Sequence, residues 1–284
     1  MKIERRVSRD LVLKNIREQM DKGIPIIATG AGVGIVGRVA EKADADLIVV
    51  YNSGYFRMNG HSSILGNLPV GDANGIVREM GEKHILPVVH KTPVIAGVFG
   101  SDPTRDMRSF LSELAGIGYS GVINYPTVGK FSGQFRREVE EVGLGFSCEI
   151  RMIRLAAEMG FLTMGYVYSP EEARLLVDAG ADIIVSHVGL TGGGDVGMKC
   201  EESIDEAILK TQKVLEEALK RNPAVIPLCH GGSISSQEDF ARVFNETCSA
   251  GFVGASSIER IPVERALYDT ISSFKGIRKT SVAR

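Results

Sequence analysis

Two histidines stand where they could transfer protons. His187 and His230 each lie at the end of a short apolar run, which places their side chains at the ends of strands. Because the pKa of an imidazole lies near neutrality, a histidine at an open strand end can act as a general acid or base. The alternative is that each ring only hydrogen-bonds a loop. We count Glu149 with these two histidines as a catalytic candidate.

Glycine-rich turns follow the last two predicted strands. Backbone N–H groups in such turns, next to the start of a helix, bind phosphate well because no Cβ atom blocks the approach. The glycines could equally serve tight packing. The candidates for a phosphate site are Gly231, Gly232, Gly254, Ser256 and Ser257, with Gly192 and Gly193 as a further segment that contacts the anion.

Other polar residues at strand ends could orient the rest of a ligand. Asparagine and tyrosine side chains there could hold a carboxylate, and Arg57, in a long segment after the second strand, could neutralise its charge. The candidates of this kind are Thr29, Gly30, Asn52, Asn124 and Tyr166.

Three other chemistries find less support. An imine-forming enzyme needs a desolvated lysine, but no predicted strand contains one, and Lys130 and Lys199 fall in loops. A divalent metal needs converging oxygen ligands; Asp102 is the candidate, although an N-cap role before Pro103 also explains it. The glycines of the segment 32–37 (GVGIVG) match a dinucleotide motif, but the next strand ends without the acidic residue that binds ribose.

The elements that must position these residues alternate regularly. Apolar runs of strand length are typical of a parallel sheet that is covered on both faces. We predict strands at 24–29, 46–51, 93–99, 121–125, 162–166, 182–186, 224–229 and 251–255. Segments with helical spacing separate them, which predicts an α/β fold, a single (β/α)8 TIM barrel.

Two segments make up the predicted chain. Residues 1–22, with a helix at Arg9–Met20, are expected to cover the base of the barrel, and residues 23–284 form the TIM-barrel domain. Long connections at 52–71, 126–145 and 188–201 follow strand ends. Because the carboxyl-side rim of a TIM barrel carries its chemistry, we expect these connections to be lids or binding loops.

Composition limits the class of protein. The 284 residues are 44% hydrophobic and 24% charged, with 33 basic and 35 acidic side chains, which is typical of a globular chain and argues against a nucleic-acid partner. No apolar run is long enough to cross a membrane, and no secretory leader is evident. Cys148, Cys200, Cys229 and Cys248 fit no zinc or disulfide pattern. We expect reduced thiols in a cytoplasmic protein.

Six segments give the sequence a family resemblance. They are 28–34 (ATGAGVG), 47–54 (LIVVYNSG), 68–74 (LPVGDAN), 96–103 (AGVFGSDP), 187–193 (HVGLTGG) and 254–260 (GASSIER). They resemble the phosphoenolpyruvate hydrolase-like TIM-barrel family, which is also similar to the C-terminal half of a plant protein that blocks tobamovirus RNA replication. The resemblance implies relatives that act on phosphoenolpyruvate, phosphonopyruvate or isocitrate and hold Mg2+ with rim carboxylates. Asp102 and Glu149 are the candidates here.

The leading hypothesis is a TIM-barrel enzyme that acts on a small phosphorylated or phosphonate 2-oxo acid by hydrolysis or lysis. The alternative is a non-catalytic barrel that binds a ligand or a partner in a regulatory role. In either case the expected partner is a small anionic metabolite, with Mg2+ as the one candidate cofactor. We expect no membrane partner, and we expect the chain to form a homo-oligomer.

Overall fold

The computed structural model describes residues 7–199 and 202–279. Cys200 and the outermost residues of both predicted segments lie outside this part of the chain. Its strands are β1 (Ile26–Gly30), β2 (Leu47–Val50), β3 (Val94–Val98), β4 (Gly121–Asn124), β5 (Leu162–Val167), β6 (Ile183–His187), β7 (Ile226–His230) and β8 (Gly251–Gly254). All eight are parallel and pair in chain order, and β8 pairs with β1 to close the barrel. The predicted TIM-barrel fold is confirmed.

The helices lie between and after the strands. Those of the described residues are α1 (Arg9–Met20), α2 (Gly34–Lys42), α3 (Asn52–Met58), α4 (Ala73–Met80), α5 (Met107–Ile117), α6 (Gly133–Glu141), α7 (Phe146–Glu158), α8 (Pro170–Asp178), α9 (Ile204–Arg221), α10 (Gln237–Glu246) and α11 (Arg260–Gly276). The segment after β2, expected as a long loop, contains α3 and a 3-10 turn at Ser63–Asn67. The sequence pattern did not predict these helices, because the glycines and polar residues of this segment have low helix propensity.

Side chains of each strand alternate between two apolar layers. In β2, Leu47 and Val49 point into the barrel, whereas Ile48 and Val50 pack against the surrounding helices. Successive side chains of a strand point to opposite faces, and both faces are covered here. This explains why the strands are continuous apolar runs in the sequence.

Helix α1 packs against the amino-terminal end of the barrel. Val12, Leu13 and Ile16 are buried and join the cluster that fills the barrel interior. At the same end, the Arg9 guanidinium donates to both carboxylate oxygens of Asp182, which precedes β6. Helix α1 therefore adds an apolar layer below the strands, opposite to the rim where His187 and His230 lie.

No helix among the described residues combines the length and the apolar character that a membrane span requires.

Replacing Leu13 with alanine should destabilise the fold by about 2–4 kcal/mol, because the side chain is buried and its removal leaves a cavity. Leu11→Ala is the matched control, since Leu11 lies on the same helix but is 48% exposed. It should change the free energy of unfolding by less than about 0.5 kcal/mol. Urea unfolding of both variants measures the difference. Equal losses would contradict the packing of α1 against the barrel.

Candidate active site

The carboxyl-terminal ends of the strands surround a small cavity. Five of the sequence candidates line it: Arg57, Tyr166, His187, His230 and Ser256. Tyr51, Tyr125, Ser63 and Arg260 line it as well. Among the described residues that form its wall there are two arginines and no aspartate or glutamate. The wall thus presents cationic and hydroxyl groups to whatever enters.

The two histidines meet in this cavity. They end the neighbouring strands β6 and β7, whose register pairs His187 with His230, and their ring centroids are 4.5 Å apart. The ring of Tyr166 packs against both imidazoles, at 5.0 and 5.1 Å, and Tyr168 stacks on His187 at 4.6 Å. Strand pairing and aromatic packing therefore fix the positions of both rings.

Backbone hydrogen bonds assign the two imidazoles opposite tautomers. The N–H of Gly189 can only donate, so Nδ1 of His187, 3.1 Å away, is unprotonated and the neutral ring carries its proton on Nε2. The carbonyl oxygen of Val253 can only accept, so Nδ1 of His230, 2.5 Å away, carries the proton. His187 thus offers an Nε2–H donor, and His230 offers an Nε2 lone pair.

Burial keeps both imidazoles neutral. Burial, with the charges of His230 and Lys130, holds the pKa of His187 well below its usual range. Burial lowers the pKa of His230 to about 4, although the hydrogen bond to Val253 acts in the opposite direction. At neutral pH the pair therefore consists of one hydrogen-bond donor and one acceptor without net charge.

Tyrosine hydroxyls form the floor of the cavity. The hydroxyl oxygens of Tyr51 and Tyr166 are 2.6 Å apart, and the Tyr125 hydroxyl accepts a hydrogen bond of 3.0 Å from the Asn67 side chain. Burial raises the pKa of all three phenols, so they stay protonated at neutral pH. They can orient a ligand by hydrogen bonds.

Arg57 reaches the cavity from α3 and is held by a buried carboxylate. Its Nε donates to Oε1 of Glu259 at 2.5 Å, and Nη1 donates to the Ser63 hydroxyl at 3.1 Å. Nη2 lies in ion-pair contact with Glu259 but makes no aligned hydrogen bond. Oε2 of Glu259 accepts from the backbone N–H of Gly32 at 2.8 Å. Both oxygens of the Glu259 carboxylate thus accept hydrogen bonds, and the Arg57 guanidinium is held beside it.

Gly32 permits this arrangement by its lack of a side chain. A Cβ atom there would lie 2.3 Å from the carbonyl oxygen of Gly54, so a larger residue would push the loop after β1 away from α3. The glycine motif that matches a dinucleotide site therefore brings the Gly32 N–H to Glu259 and positions Arg57.

Glu149 and Asn124 face each other rather than the cavity. The Asn124 amide donates to Glu149 at 2.6 Å and to the Tyr166 carbonyl at 3.0 Å, and its oxygen accepts from the Tyr166 N–H. Thr127 and the Val128 N–H also bond to Glu149. Burial outweighs these hydrogen bonds and raises the pKa of Glu149 to about 8. Both side chains hold the loop after β4 in place.

The glycines of the last turns serve loop packing. A Cβ atom at Gly231 would lie 2.1 Å from the Gly189 carbonyl oxygen, and one at Gly254 would lie 2.2 Å from Ile258. Of the predicted phosphate candidates, Ser256 alone is part of the described cavity wall. Those outside the wall are Gly192, Gly193, Gly231, Gly232, Gly254 and Ser257; Thr29 and Gly30 are outside it as well.

Asn52 and Asp102 line a second cavity, between α4 and the loop after β4. The Asn52 side chain donates to the Gly66 carbonyl and accepts from the Ser53 N–H, so it supports the segment after β2. Asp102 accepts from Asn74, Thr104 and Arg105. Burial opposes its ionisation, but these hydrogen bonds prevail and lower its pKa to about 2.

The carboxylates near the rim do not fit a divalent cation. Asp102 is bound by a guanidinium, Glu149 is protonated at neutral pH, and Glu259 is paired with Arg57. No three His, Cys, Asp or Glu side chains among the described residues converge as a metal site. The positive charge at this mouth comes from arginine instead.

Several residues of the site were missed from the sequence. Arg260 lines the cavity, donating to Glu264 at 2.6 Å and to the Gly193 carbonyl at 2.8 Å. The adjacent charges of Glu259 and Arg260, in a turn otherwise made of small residues, were a signal that could have found it. Tyr51 and Ser63 carry no comparable signal.

Fold and site together define a TIM-barrel protein whose candidate active site lies at the carboxyl-terminal mouth. The profile of the family described as phosphoenolpyruvate hydrolase-like matches residues 11–277. The chain belongs to this family, which confirms the resemblance drawn from the six segments.

Two curated relatives come from Solanum lycopersicum. They are the ToMV susceptible protein tm-1(GCR26) and the ToMV resistance protein Tm-1(GCR237), each 47% identical over 270 residues. The match covers 95% of this chain but only 36% of each tomato protein. The chain thus corresponds to about a third of these longer relatives.

Solved structures share the fold at low sequence identity. A 2,3-dimethylmalate lyase of the PEP mutase/isocitrate lyase superfamily has a TM-score of 0.60 at 16% identity, covering 97% of this chain and 91% of its own. A phosphonopyruvate hydrolase in complex with oxalate and Mg2+ has a TM-score of 0.59 at 16% identity, covering 98% and 92%. Hydrolases and lyases therefore share this barrel.

Replacing Glu149 with glutamine should remove a pH-dependent loss of stability. Because its pKa is raised, the folded chain keeps this proton at a pH where the unfolded chain has lost it. The folded state therefore loses stability as the pH rises from about 5 to about 8. Over this range the wild type should lose about 1–3 kcal/mol more than Glu149→Gln in urea unfolding.

The exposed Glu82 provides the control, since Glu82→Gln should follow the wild type at every pH. A stability difference between wild type and Glu149→Gln that stays constant with pH would contradict the protonated state of Glu149.

Proposed function

We propose that the barrel binds a small anionic 2-oxo acid that carries a phosphonate or phosphoryl group and cleaves it by hydrolysis or lysis. The observation that carries this proposal is the described cavity wall, which combines two arginines, several hydroxyls and two neutral imidazoles without a carboxylate. Such a wall favours an anion, because guanidinium and hydroxyl groups can donate hydrogen bonds to it.

The anionic group would bind at the side of the cavity formed by α3 and the turn after β8. Arg57 lines the cavity there, and the hydroxyls of Ser63 and Ser256 lie 3.4 Å apart. Glu264, the carboxylate partner of Arg260, lies outside the described wall. Both guanidinium groups line the cavity while paired with carboxylates, and they would meet the anion as hydrogen-bond donors.

The imidazole pair would act at the other side, His187 as a hydrogen-bond donor and His230 as a proton acceptor. Nε2–H of His187 can donate to a carbonyl or leaving oxygen, and Nε2 of His230 can accept a proton from water. The hydroxyl pair of Tyr51 and Tyr166 lies next to them and can hold the oxygen that becomes negative. A donor and an acceptor side by side suit the cleavage of a bond with the addition of water.

Structures of the same fold support this class of reaction. One neighbour is a phosphonopyruvate hydrolase, two further ones are structures of oxaloacetate acetylhydrolase with an inhibitor or with the product oxalate, and another is a 2,3-dimethylmalate lyase. At about 15% identity they share the fold alone. The acids in their names are anions, which is the class of ligand proposed here.

The Mg2+ of the phosphonopyruvate hydrolase complex raises the question of a metal in this chain. Because Asp102, Glu149 and Glu259 are each committed to other partners, we assign no step to Mg2+. The turnover assay described below is therefore run both with EDTA and with Mg2+.

The second candidate function is binding without turnover. The tomato relatives, 47% identical to this chain, are named for susceptibility and resistance to ToMV. We propose on this ground that a family member can act by binding a ligand or a partner. A ligand that binds but yields no product would favour this candidate over the enzyme.

Calorimetric titration with oxalate and with phosphonopyruvate tests the anion site, and release of pyruvate and phosphate tests turnover. We expect both anions to bind and phosphonopyruvate to be cleaved. Arg57→Lys should weaken both affinities by about tenfold, because an ammonium group cannot replace the guanidinium fork that spans Glu259 and the ligand.

Arg105→Lys is the matched control, because Arg105 pairs with Asp72 and Asp102 at the second cavity. It should leave both affinities unchanged. Turnover is measured with EDTA and with Mg2+. Failure of both anions to bind the wild type, or equal affinities in the wild type and Arg57→Lys, would refute the proposed site.

We also propose that the chain forms a homo-oligomer through α11. The apolar residues of this helix face solvent: Leu267, Tyr268, Ile271 and Phe274 are 57–73% exposed, and Arg260 is its one buried residue. On α2, Ile35 and Val39 are likewise 66% and 54% exposed. A second copy of the chain could cover both surfaces, with α11 of each copy against α2 of the other.

Light scattering coupled to gel filtration tests this contact. The wild type should elute as a dimer or larger, and the double substitution Leu267→Glu with Ile271→Glu should yield a monomer, because two buried charges would oppose association. Leu209→Glu, at an exposed position of α9, should leave the mass unchanged. A monomeric wild type would refute the proposal.

We propose the cytoplasm as the compartment. The cysteines of the described residues, Cys148, Cys229 and Cys248, are free thiols, and Cys229 is fully buried, with its pKa raised to about 12 by desolvation. Such unreactive buried thiols suit a reducing compartment.

A further inference from the structure

The segment 190–198, which follows β6, forms part of the cavity wall. Its residues in the wall are Leu190, Thr191, Val196, Gly197 and Met198. Three of these side chains are large and apolar, whereas the strands β5, β6 and β7 contribute tyrosine and histidine to the same wall. The segment therefore adds an apolar surface to a site whose other groups are mostly polar.

The space inside this wall is small. The cavity measures about 40 Å³, which is room for about three water molecules. A ligand with few heavy atoms fills it, and a larger ligand fits only if part of the wall moves. Each strand is fixed by pairing on both sides in the closed barrel. The room for a ligand therefore depends on how the segments above the strands are held.

Glu264, on α11, holds the segment 190–198 with both of its carboxylate oxygens. Its Oε2 accepts from the backbone N–H of Asp195 at 3.2 Å, and its Oε1 accepts from Nη1 of Arg260 at 2.6 Å. Nη2 of Arg260 in turn donates to the carbonyl oxygen of Gly193 at 2.8 Å. The ion pair thus binds the backbone of the segment at two points, and Arg260 itself also lines the cavity.

Glycines allow the segment to approach this ion pair closely. Gly193 and Gly194 have φ angles of +84° and +72°, which residues with a side chain rarely adopt. A Cβ atom at Gly194 would collide with Nη1 of Arg260 and Oε2 of Glu264. The Gly193 N–H donates to the Met198 carbonyl oxygen at 3.2 Å, which closes the segment on itself. The segment is therefore shaped to fit against Arg260 and Glu264.

We propose that Glu264 is a positioning residue that sets the size of the ligand, because it holds the segment 190–198 over the cavity. The inference rests on the proposed function, since it concerns the same site and the same class of ligand. Within that class it favours acids with a short substituent over acids with a bulky apolar one. Glu264 lies outside the described wall and acts through Arg260 and the segment.

Calorimetric titration with pyruvate and with phenylpyruvate, which differ by one phenyl group, tests the proposal. We expect the wild type to bind pyruvate about 100-fold more tightly, because the phenyl group would collide with the segment. Glu264→Gln loses the charge and one of the two acceptor oxygens, so it should reduce this preference about tenfold by strengthening phenylpyruvate binding. Gly194→Ala displaces the segment from its side of the contact and should have the same effect. Near-ultraviolet circular dichroism checks that both variants keep the fold.

Glu246→Gln is the matched control, because Glu246 forms the same i,i+4 ion pair with Arg242 on α10, outside the cavity wall. It should leave the preference unchanged. Hydrogen exchange of the ligand-free protein gives a second readout, in which the amides of 190–198 should exchange faster in Glu264→Gln than in the wild type or in Glu246→Gln. Unchanged exchange in Glu264→Gln would overturn the role of this residue.

The binding results separate this proposal from the proposed function. Oxalate binding together with an unchanged preference in the folded variants overturns the role of Glu264 and leaves the anion site standing. So does a wild type that binds phenylpyruvate as tightly as pyruvate, or a variant that loses both affinities in equal proportion. If neither oxalate nor pyruvate binds the wild type, both proposals are overturned.

Discussion

The desolvation of polar groups at the mouth of the barrel is the constraint on which the site depends. Closing eight parallel strands places His187, His230 and Tyr166 where water is largely excluded, at no more than 7% exposure. In such surroundings each polar group must find a partner or lose its charge. The imidazoles lose their charge and take their tautomers from backbone groups, and the tyrosines share a hydrogen bond.

The same desolvation determines which charged groups line the cavity. Glu259 is neutralised by Arg57, Glu149 keeps its proton, and Asp102 is bound by its own loop, so the described wall carries arginines and hydroxyls without a free carboxylate. A divalent cation needs carboxylate oxygens that are free to coordinate it. Here the carboxylates position cationic and polar groups of the chain.

The fold could be predicted from the sequence because each strand can be recognised by itself as a short apolar run. A run such as Leu47–Val50 is apolar throughout, since Leu47 and Val49 fill the barrel while Ile48 and Val50 meet the helices. His187 and His230 could be placed for the same reason, as they end such runs. The Arg57–Glu259 pair could not, because 202 residues separate its members and no local pattern joins them. Lys130 was set aside because it lies in a loop, and only the fold shows that its amine is buried.

Two neutral imidazoles with opposite tautomers line the cavity. Long-range ¹H–¹⁵N correlation spectra of the histidine-labelled protein at neutral pH test it directly, with His187→Gln and His230→Gln used to assign the signals. We expect a proton on Nε2 of His187 and on Nδ1 of His230, with neither ring charged. An imidazolium signal from either residue, or the same tautomer in both, would contradict it.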